Sequence, residues 1–313
     1  MLLCVRSVTA NLRAGACLAV ACLAAACTAV HATAPVADSK PGSSSEAARA
    51  AARSAAPRPT LEAKPQPRPQ PAPRVTVYQV RTSDGAQVAV AVFRGPVRFV
   101  LHNGSLDPGY AAAVKGVTAG PAVGGSERRH LLAAFNGGFK LSAGAGGYEQ
   151  EGHVISPLLD GYASLVIDRS GRARIVVWGH GAPAAGEAVY SVRQNLQPLV
   201  EHGQPTAAAA DWYAWGATLG GGELVARSAL GEDSAGDLLY AGSMSASPED
   251  LAQALVDKGA RIAMELDINP EWVQLDVASR PGGPLRAAVP DQIRPADQFI
   301  EGWSRDFITV LGQ

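Results

Sequence analysis

The sequence predicts an α+β fold: a single domain with a mixed, largely antiparallel β-sheet core and a few flanking helices, preceded by a signal peptide and a disordered Pro/Ala-rich linker. Three observations predict it. Short β-branched runs separated by turn residues recur from Val75 to the C-terminus. One stretch carries a full set of helix signals. The chain has 313 residues, 47% of them hydrophobic, enough to bury a sizeable core and to exclude wholesale disorder. The domain boundaries read as 1–32 for the signal, 33–74 for the linker and 75–313 for the folded part.

VTVYQV (75–80), AQVAVAVF (86–93) and VRFVL (97–101), with Ser83-Asp84-Gly85 and Gly95-Pro96 between them, read as an antiparallel three-stranded meander. LLAAF (131–135) is a continuous apolar run ending at Asn136-Gly137-Gly138, a buried strand entering a tight turn. YASLVID (162–168), Arg169-Ser170-Gly171 and ARIVVW (173–178) form a hairpin. The helix runs from about Pro248 to Lys258. Ser247 is its N-cap, Pro248 its first position, Glu249 and Asp250 complement the dipole, and Gly259 closes it. RIAMEL (261–266) and DFITVL (306–311) are the remaining strands.

Upstream, Arg6 and Arg13 precede an apolar run from Ala14 to Val30, the layout of a signal peptide. Two processing routes stay open. Val30-His31-Ala32 fits a small-x-Ala cleavage site, whereas Leu23-Ala24-Ala25-Ala26-Cys27 resembles a lipobox whose lipidated cysteine would anchor the protein to a membrane. Either route exports the protein to a periplasmic, extracellular or membrane-anchored location. Residues 33–74 hold nine of the 22 prolines, which favours extended polyproline II over helix.

All four cysteines lie within the first 27 residues, so the folded part has no disulfide, thiolate metal site or cysteine nucleophile. Residues 1–74 carry a net charge of +6 and the remainder −7. An acidic folded part argues against nucleic-acid binding. There is no G-x-S-x-G elbow, no P-loop and no Rossmann fingerprint. The six histidines never fall at H-x-H or H-x-x-x-H spacing.

What remains is a set of polar groups at strand ends. Glu265 and Asp267, two residues apart on a strand, face one side with Cα atoms about 6.6 Å apart. Such a pair is costly to bury unless partnered, and it separates its pKa values in a way that suits acid–base work. Asn136 offers a donor and an acceptor, and Gly137 and Gly138 allow positive φ and leave the backbone open to a ligand. Arg227 can meet phosphate bidentately. Arg193-Gln194-Asn195 is a further polar cluster, from which Arg193 and Asn195 join the substrate-binding set. Trp212, Trp215, Trp272 and Trp303 are candidates for either a sugar-stacking face or the core.

The order of five segments resembles the phosphodiester glycosidase family, the domain of the mannose 6-phosphate uncovering enzyme. They are AAFNGGFK (133–140), DGYASLVIDRSG (160–171), VRQNLQPLVEHG (192–203), RSALGED…GDLLYAG (227–242) and SPEDLAQALVDKGARIAMELD (247–267). Asn136, Arg227 and Asp267 match motif positions, while Glu265 rests on spacing alone. The sequence departs from the family after Asp267, where Ile268-Asn269-Pro270-Glu271-Trp272 replaces a Gly-Gly-Gly-Ser turn.

The resemblance implies a divergent bacterial branch: an exported hydrolase that cleaves a sugar-1-phosphodiester in an envelope or wall glycopolymer. Arg227 would bind phosphate, Asn136 would orient the sugar, and Asp267 and Glu265 would share the nucleophile, base and acid roles. A glycan or sugar-phosphate is then the partner. The lost glycine turn motivates an alternative, a non-catalytic glycan-binding surface protein. No cofactor is otherwise required. A third option is a metal-dependent phosphodiesterase holding a divalent cation such as calcium through Glu265, Asp267 and Asn269.

Overall fold

The computed structural model describes residues 73–108, 117–216 and 221–312. The chain divides into two units, Met1–Pro67 and Arg68–Gln313, and the described residues belong to the second. The expected signal segment, the lipobox at Cys27 and nearly all of the expected linker lie outside them.

The second unit is β-rich, with three sheets. The first has seven strands in the order β1 (Val75–Arg81), β2 (Gln87–Phe93), β13 (Leu238–Ala246), β12 (Val225–Asp233), β14 (Ala260–Glu265), β10 (Pro198–Glu201) and β11 (Gln204–Pro205). The second runs β16 (Leu285–Ala287), β15 (Leu275–Ala278), β4 (Leu131–Asn136), β17 (Phe307–Gly312) and β3 (Val97–His102). The third runs β6 (His153–Ser156), β5 (Tyr148–Gln150), β9 (Ser191–Gln194), β7 (Ala163–Ile167) and β8 (Ala173–Val177). Every pairing between these strands is antiparallel. The expected mixed character is therefore not seen among the described residues, where parallel pairing is confined to isolated bridges.

The expected meander is also corrected. β1 and β2 pair as a hairpin, but β13 takes the other edge of β2, with Leu238 opposite Phe93. β3 leaves for the second sheet and pairs with β17. Gly95, at φ +75°, turns the chain at this crossing in a conformation that costs glycine little. Phe93 then stacks on Phe135 of β4 at 5.6 Å and meets Phe99 of β3 edge-on at 5.9 Å.

Alternation explains why several strands read as unbroken apolar runs. On β2, Ala89, Ala91 and Phe93 face a core shared by all three sheets, together with Phe135, Leu165, Tyr240 and Ile308. Val88, Val90 and Val92 face the other way, under the helix Pro248–Val256, with Leu251 and Leu255. A strand buried on both faces loses its period-two pattern. The helix begins as the sequence predicts. Ser247 Oγ accepts from the Asp250 N–H at 3.0 Å, and Asp250 Oδ2 accepts from the Ser247 N–H at 3.2 Å, a reciprocal cap. It ends near Val256, where tightened turns lead to Gly259 at φ +102°.

Asp276, on β15, is fully buried. Its carboxylate accepts from Gln274 Nε2 at 2.5 Å and Gln292 Nε2 at 2.8 Å. Burial pushes its pKa up to about 7, and the two amide donors only partly oppose this. The folded value lies above the unfolded one, about 3.9, so the folded state binds the extra proton. Stability should therefore fall as pH rises from about 4 through about 7. Thermal unfolding across that range should show this decline, and Asp276→Asn should reduce its slope whatever the variant's absolute midpoint.

Candidate active site

One end of β4 organises the site. The Asn136 amide donates to Ser228 Oγ at 2.8 Å and to the Gly137 carbonyl at 3.0 Å. Its oxygen accepts from the Tyr240 hydroxyl at 2.9 Å and the Gln274 N–H at 3.1 Å. Two donors and two acceptors are thereby all used, and no capacity is left for a substrate. Asn136 ties β4 to β12, β13 and the segment before β15, a scaffold role in place of the expected orienting one.

The glycines that follow serve a different purpose from the one the sequence suggests. Neither Gly137 nor Gly138 has positive φ. A Cβ on Gly137 would lie 2.0 Å from Asp306 Oδ2, and one on Gly138 would lie 2.8 Å from the Arg193 guanidinium carbon. The turn lacks side chains because an ion pair fills that space. Arg193 donates from Nε to Asp306 Oδ2 at 2.7 Å and from Nη1 to the Gln194 carbonyl at 2.8 Å, and its Nη2 donates to the Phe139 carbonyl. Both ions are buried. Asn195 completes the clamp, accepting from the Phe139 N–H and donating to the Glu265 carbonyl, each at 3.0 Å. Arg193 and Asn195 thus hold the loop from beneath and are not exposed to a ligand.

Glu265 and Asp267 part company. Glu265, at the end of β14, accepts from Arg227 Nη1 at 2.8 Å, and the same nitrogen donates to the Trp215 carbonyl at 3.1 Å. Both residues are sealed from solvent, and among the described residues Arg227 Nε, Arg227 Nη2 and Glu265 Oε2 have no partner. Burial raises Glu265 to about 8 against the pull of Arg227, and the charge of Asp267 adds to the rise. Neither Glu265 nor Arg227 lines the cleft that Asp267 faces, which corrects both the shared-acid and the phosphate-binding expectations for this structure.

Asp267 lies on the floor of a cleft of about 590 Å³, whose lining includes Phe139, Lys140, Tyr213, Asn269, Pro270 and Arg305. Its Oδ1 accepts from the Asn269 N–H at 2.9 Å and its Oδ2 from Arg305 Nη1. Burial raises its pKa, while Arg305 and the Asn269 N–H hold the rise back. The divalent-cation expectation does not fit this arrangement. Both oxygens of Asp267 face N–H donors, Glu265 faces a guanidinium, and Asn269 Oδ1 accepts from the Glu271 N–H at 2.9 Å. Among the described residues no group of three or more His, Cys, Asp or Glu is placed to hold a metal.

Sequence reasoning missed Arg305, Asp306, Lys140 and Tyr213. The adjacent opposite charges Arg305-Asp306, set between Trp303 and Phe307 at a strand entrance, were the available signal, because charges at such a position are buried only when paired. Asp306→Asn should leave Arg193 buried without its counter-ion and cost about 3–5 kcal/mol, measured by urea unfolding.

No protein-family model matches the sequence, and no curated protein matches it. Among solved structures, the chain is similar to the zebrafish N-acetylglucosamine-1-phosphodiester alpha-N-acetylglucosaminidase catalytic domain auto-inhibited by its pro-peptide. The identity is 14% and the TM-score 0.48, over 76% of this chain and 82% of that one. It is also similar to a hypothetical protein from Synechocystis, at 14% identity and a TM-score of 0.46, over 77% of this chain and 62% of that one. At this distance neither likeness carries the chemistry, which rests on the residues of the cleft.

Proposed function

We propose that the domain is a hydrolase of sugar-1-phosphodiesters, an exported glycosidase acting on an envelope or wall glycopolymer at the cleft floored by Asp267. One observation carries the reading: Arg305. Among the described residues its guanidinium meets a protein acceptor only through Nη1, on Asp267. Its remaining N–H groups, with the exposed Lys140 on the same cleft, suit a phosphate diester.

The bridging phosphate lies against Arg305 and Lys140. Asp267 takes a proton from a water molecule as that water attacks the anomeric carbon. The C1–O bond breaks, and its electron pair leaves with the phosphate monoester. That leaving group is stable as an anion, so two cations at the departing oxygen reduce the need for the general acid that ordinary glycosidases require. Burial holds Asp267 above the usual carboxylate range, closer to the working pH of a base. Asn136, Gly137, Gly138, Arg193 and Asn195 position the loop around it. Arg227 and Glu265 support the strand end that presents it.

A second reading, a non-catalytic glycan-binding surface protein, draws on Ile268 and Pro270. Both line the cleft and are stiffer than the glycine turn they replace. Membrane attachment through Cys27 is compatible with both readings.

The test is hydrolysis of a panel of sugar-1-phosphodiesters by the purified full chain, with and without chelator. Asp267→Asn should lower kcat about 10²–10⁴-fold. Because the ionised base is the active form, the wild-type rate should rise with pH, with a midpoint above the ordinary carboxylate value of about 4. A loss of less than tenfold in a folded variant would remove Asp267 from catalysis. Saturable glycan binding with no product from the wild type would favour the second reading.

A further inference from the structure

Arg305 lines the cleft, and its guanidinium also reaches residues beyond that lining. That guanidinium, paired with Asp267 on one side, lies over the Trp272 ring with its carbon 5.0 Å from the centroid. Trp272 meets Trp303 at 5.8 Å between centroids, with the rings tilted by 46°. Arg294 packs on both indoles, 5.0 Å from Trp272 and 4.5 Å from Trp303. It is fixed in turn by an ion pair to Glu271 at 2.5 Å and a hydrogen bond to the Glu271 carbonyl at 3.3 Å. The result is a continuous stack that leads from the floor of the cleft to the surface, where Trp303 is 51% exposed.

Two features bear on what this surface takes. The first is rigidity: an exposed indole held by a second indole and a guanidinium has already lost its rotamer freedom, so little ordering cost remains on binding. The second is charge. Arg294 is offset by Glu271 and Arg305 by Asp267, so the flank of the stack is neutral and offers both donors and acceptors. A nucleic acid or an anionic membrane calls for an excess of cations. A flat apolar ring beside a neutral donor–acceptor pair matches a pyranose, which has an apolar face and a hydroxylated rim.

We propose that Trp303 and Trp272 form a sugar-stacking platform contiguous with the Asp267 cleft, and that the substrate class is a glycan chain of several units, not a single terminal sugar-1-phosphodiester. This rests on the hydrolase reading for the chemistry but not for the binding. A chain whose scissile phosphate lies at Arg305 runs outward along the stack and lays a neighbouring sugar on Trp303. Trp303 is then a specificity-determining residue: it selects length and takes no part in bond cleavage.

Calorimetric titration of the full chain tests this with three probes: a hexamer of N-acetylglucosamine bearing one methyl phosphodiester at its terminal C1, the methyl phosphodiester of monomeric N-acetylglucosamine 1-phosphate, and chitohexaose without phosphate. The wild type should bind the hexamer more tightly than the monomer. Trp303→Ala should raise the Kd for the hexamer about tenfold, the factor that one aromatic stacking contact of ~1.4 kcal/mol corresponds to, and leave the monomer unchanged. Trp303→Phe should restore most of the loss, and chitohexaose should show the same dependence on Trp303 as the hexamer. Equal affinity for hexamer and monomer in the wild type would overturn the platform even if both are hydrolysed, as would a Trp303→Ala variant that binds the hexamer like the wild type. Length-dependent, Trp303-dependent binding without turnover would keep the platform and reject the hydrolase reading. Absence of binding to all three probes would reject both.

Discussion

The buried ion pair between Arg193 and Asp306 is the constraint on which the cleft depends. Arg193 comes from β9 in the third sheet, and Asp306 precedes β17 in the second. The loop between Asn136 and Phe139 leaves β4 in the second sheet, and Asn195 reaches from the third sheet to the Glu265 carbonyl at the end of β14 in the first. The second and third sheets thus meet at one guanidinium, and Asn195, two residues on, ties in the first. Such a pair adds little net stability, because the cost of desolvating two ions is large. What it supplies is position, since Arg193 has its Nε, Nη1 and Nη2 all committed to acceptors. The side-chain-free Gly137-Gly138 turn follows from this: any Cβ there would occupy the space of the ions.

The same physics orders the charges above this pair. Glu265 is fully buried and burial raises it, with a pair to Arg227 that uses one carboxylate oxygen and leaves three polar atoms of the two side chains without a partner among the described residues. Asp267, two residues on, opens to the cleft and is partnered by Arg305. Two acids that a strand's period places on one side therefore have different environments, and environment separates the roles of chemically similar carboxylates. Only the outer one is placed to touch a substrate.

Much of the fold was legible from local signals. The buried run ending at Asn136, the hairpin around Arg169-Ser170-Gly171 and the N-cap at Ser247 all depend on residues close in sequence, and all appear. The third strand of the expected meander failed because its choice of partner is not local: β17 lies about 200 residues later in the chain, and nothing near Val97 specifies it. The site was legible in residue type and less so in role. Asn136, Arg193, Asn195, Arg227, Glu265 and Asp267 gather at one end of the sheets, but five of the six bond to the protein itself and do not line the cleft. A polar residue in an apolar run signals an obligation to find partners. Whether the partner is a substrate or the fold is decided by tertiary geometry. Arg305 and Asp306 escape a sequence reading because their partners, Asp267 and Arg193, lie 38 and 113 residues away.

The Asp267-Ile268-Asn269-Pro270-Glu271-Trp272 segment then takes on a different meaning from a lost glycine turn. Asp267 Oδ1 accepts from the Asn269 N–H, Asn269 Oδ1 accepts from the Glu271 N–H, and the Asn269 carbonyl accepts from the N–H groups of Trp272 and Val273 at 2.8 and 3.1 Å. Successive side-chain turns of this kind fix a backbone that glycines would leave free. The turn sets the Asp267 carboxylate and the Trp272 ring at the two ends of one rigid span, and Arg305 closes that span by touching both. A glycine-rich loop would offer backbone N–H groups to a ligand and adapt to it. This turn spends those N–H groups internally and presents instead a carboxylate, a guanidinium and an indole in fixed relation. On the proposed reading, recognition rests on side chains and not on backbone N–H groups, and the span that holds Asp267 sets the direction in which a bound chain leaves the cleft.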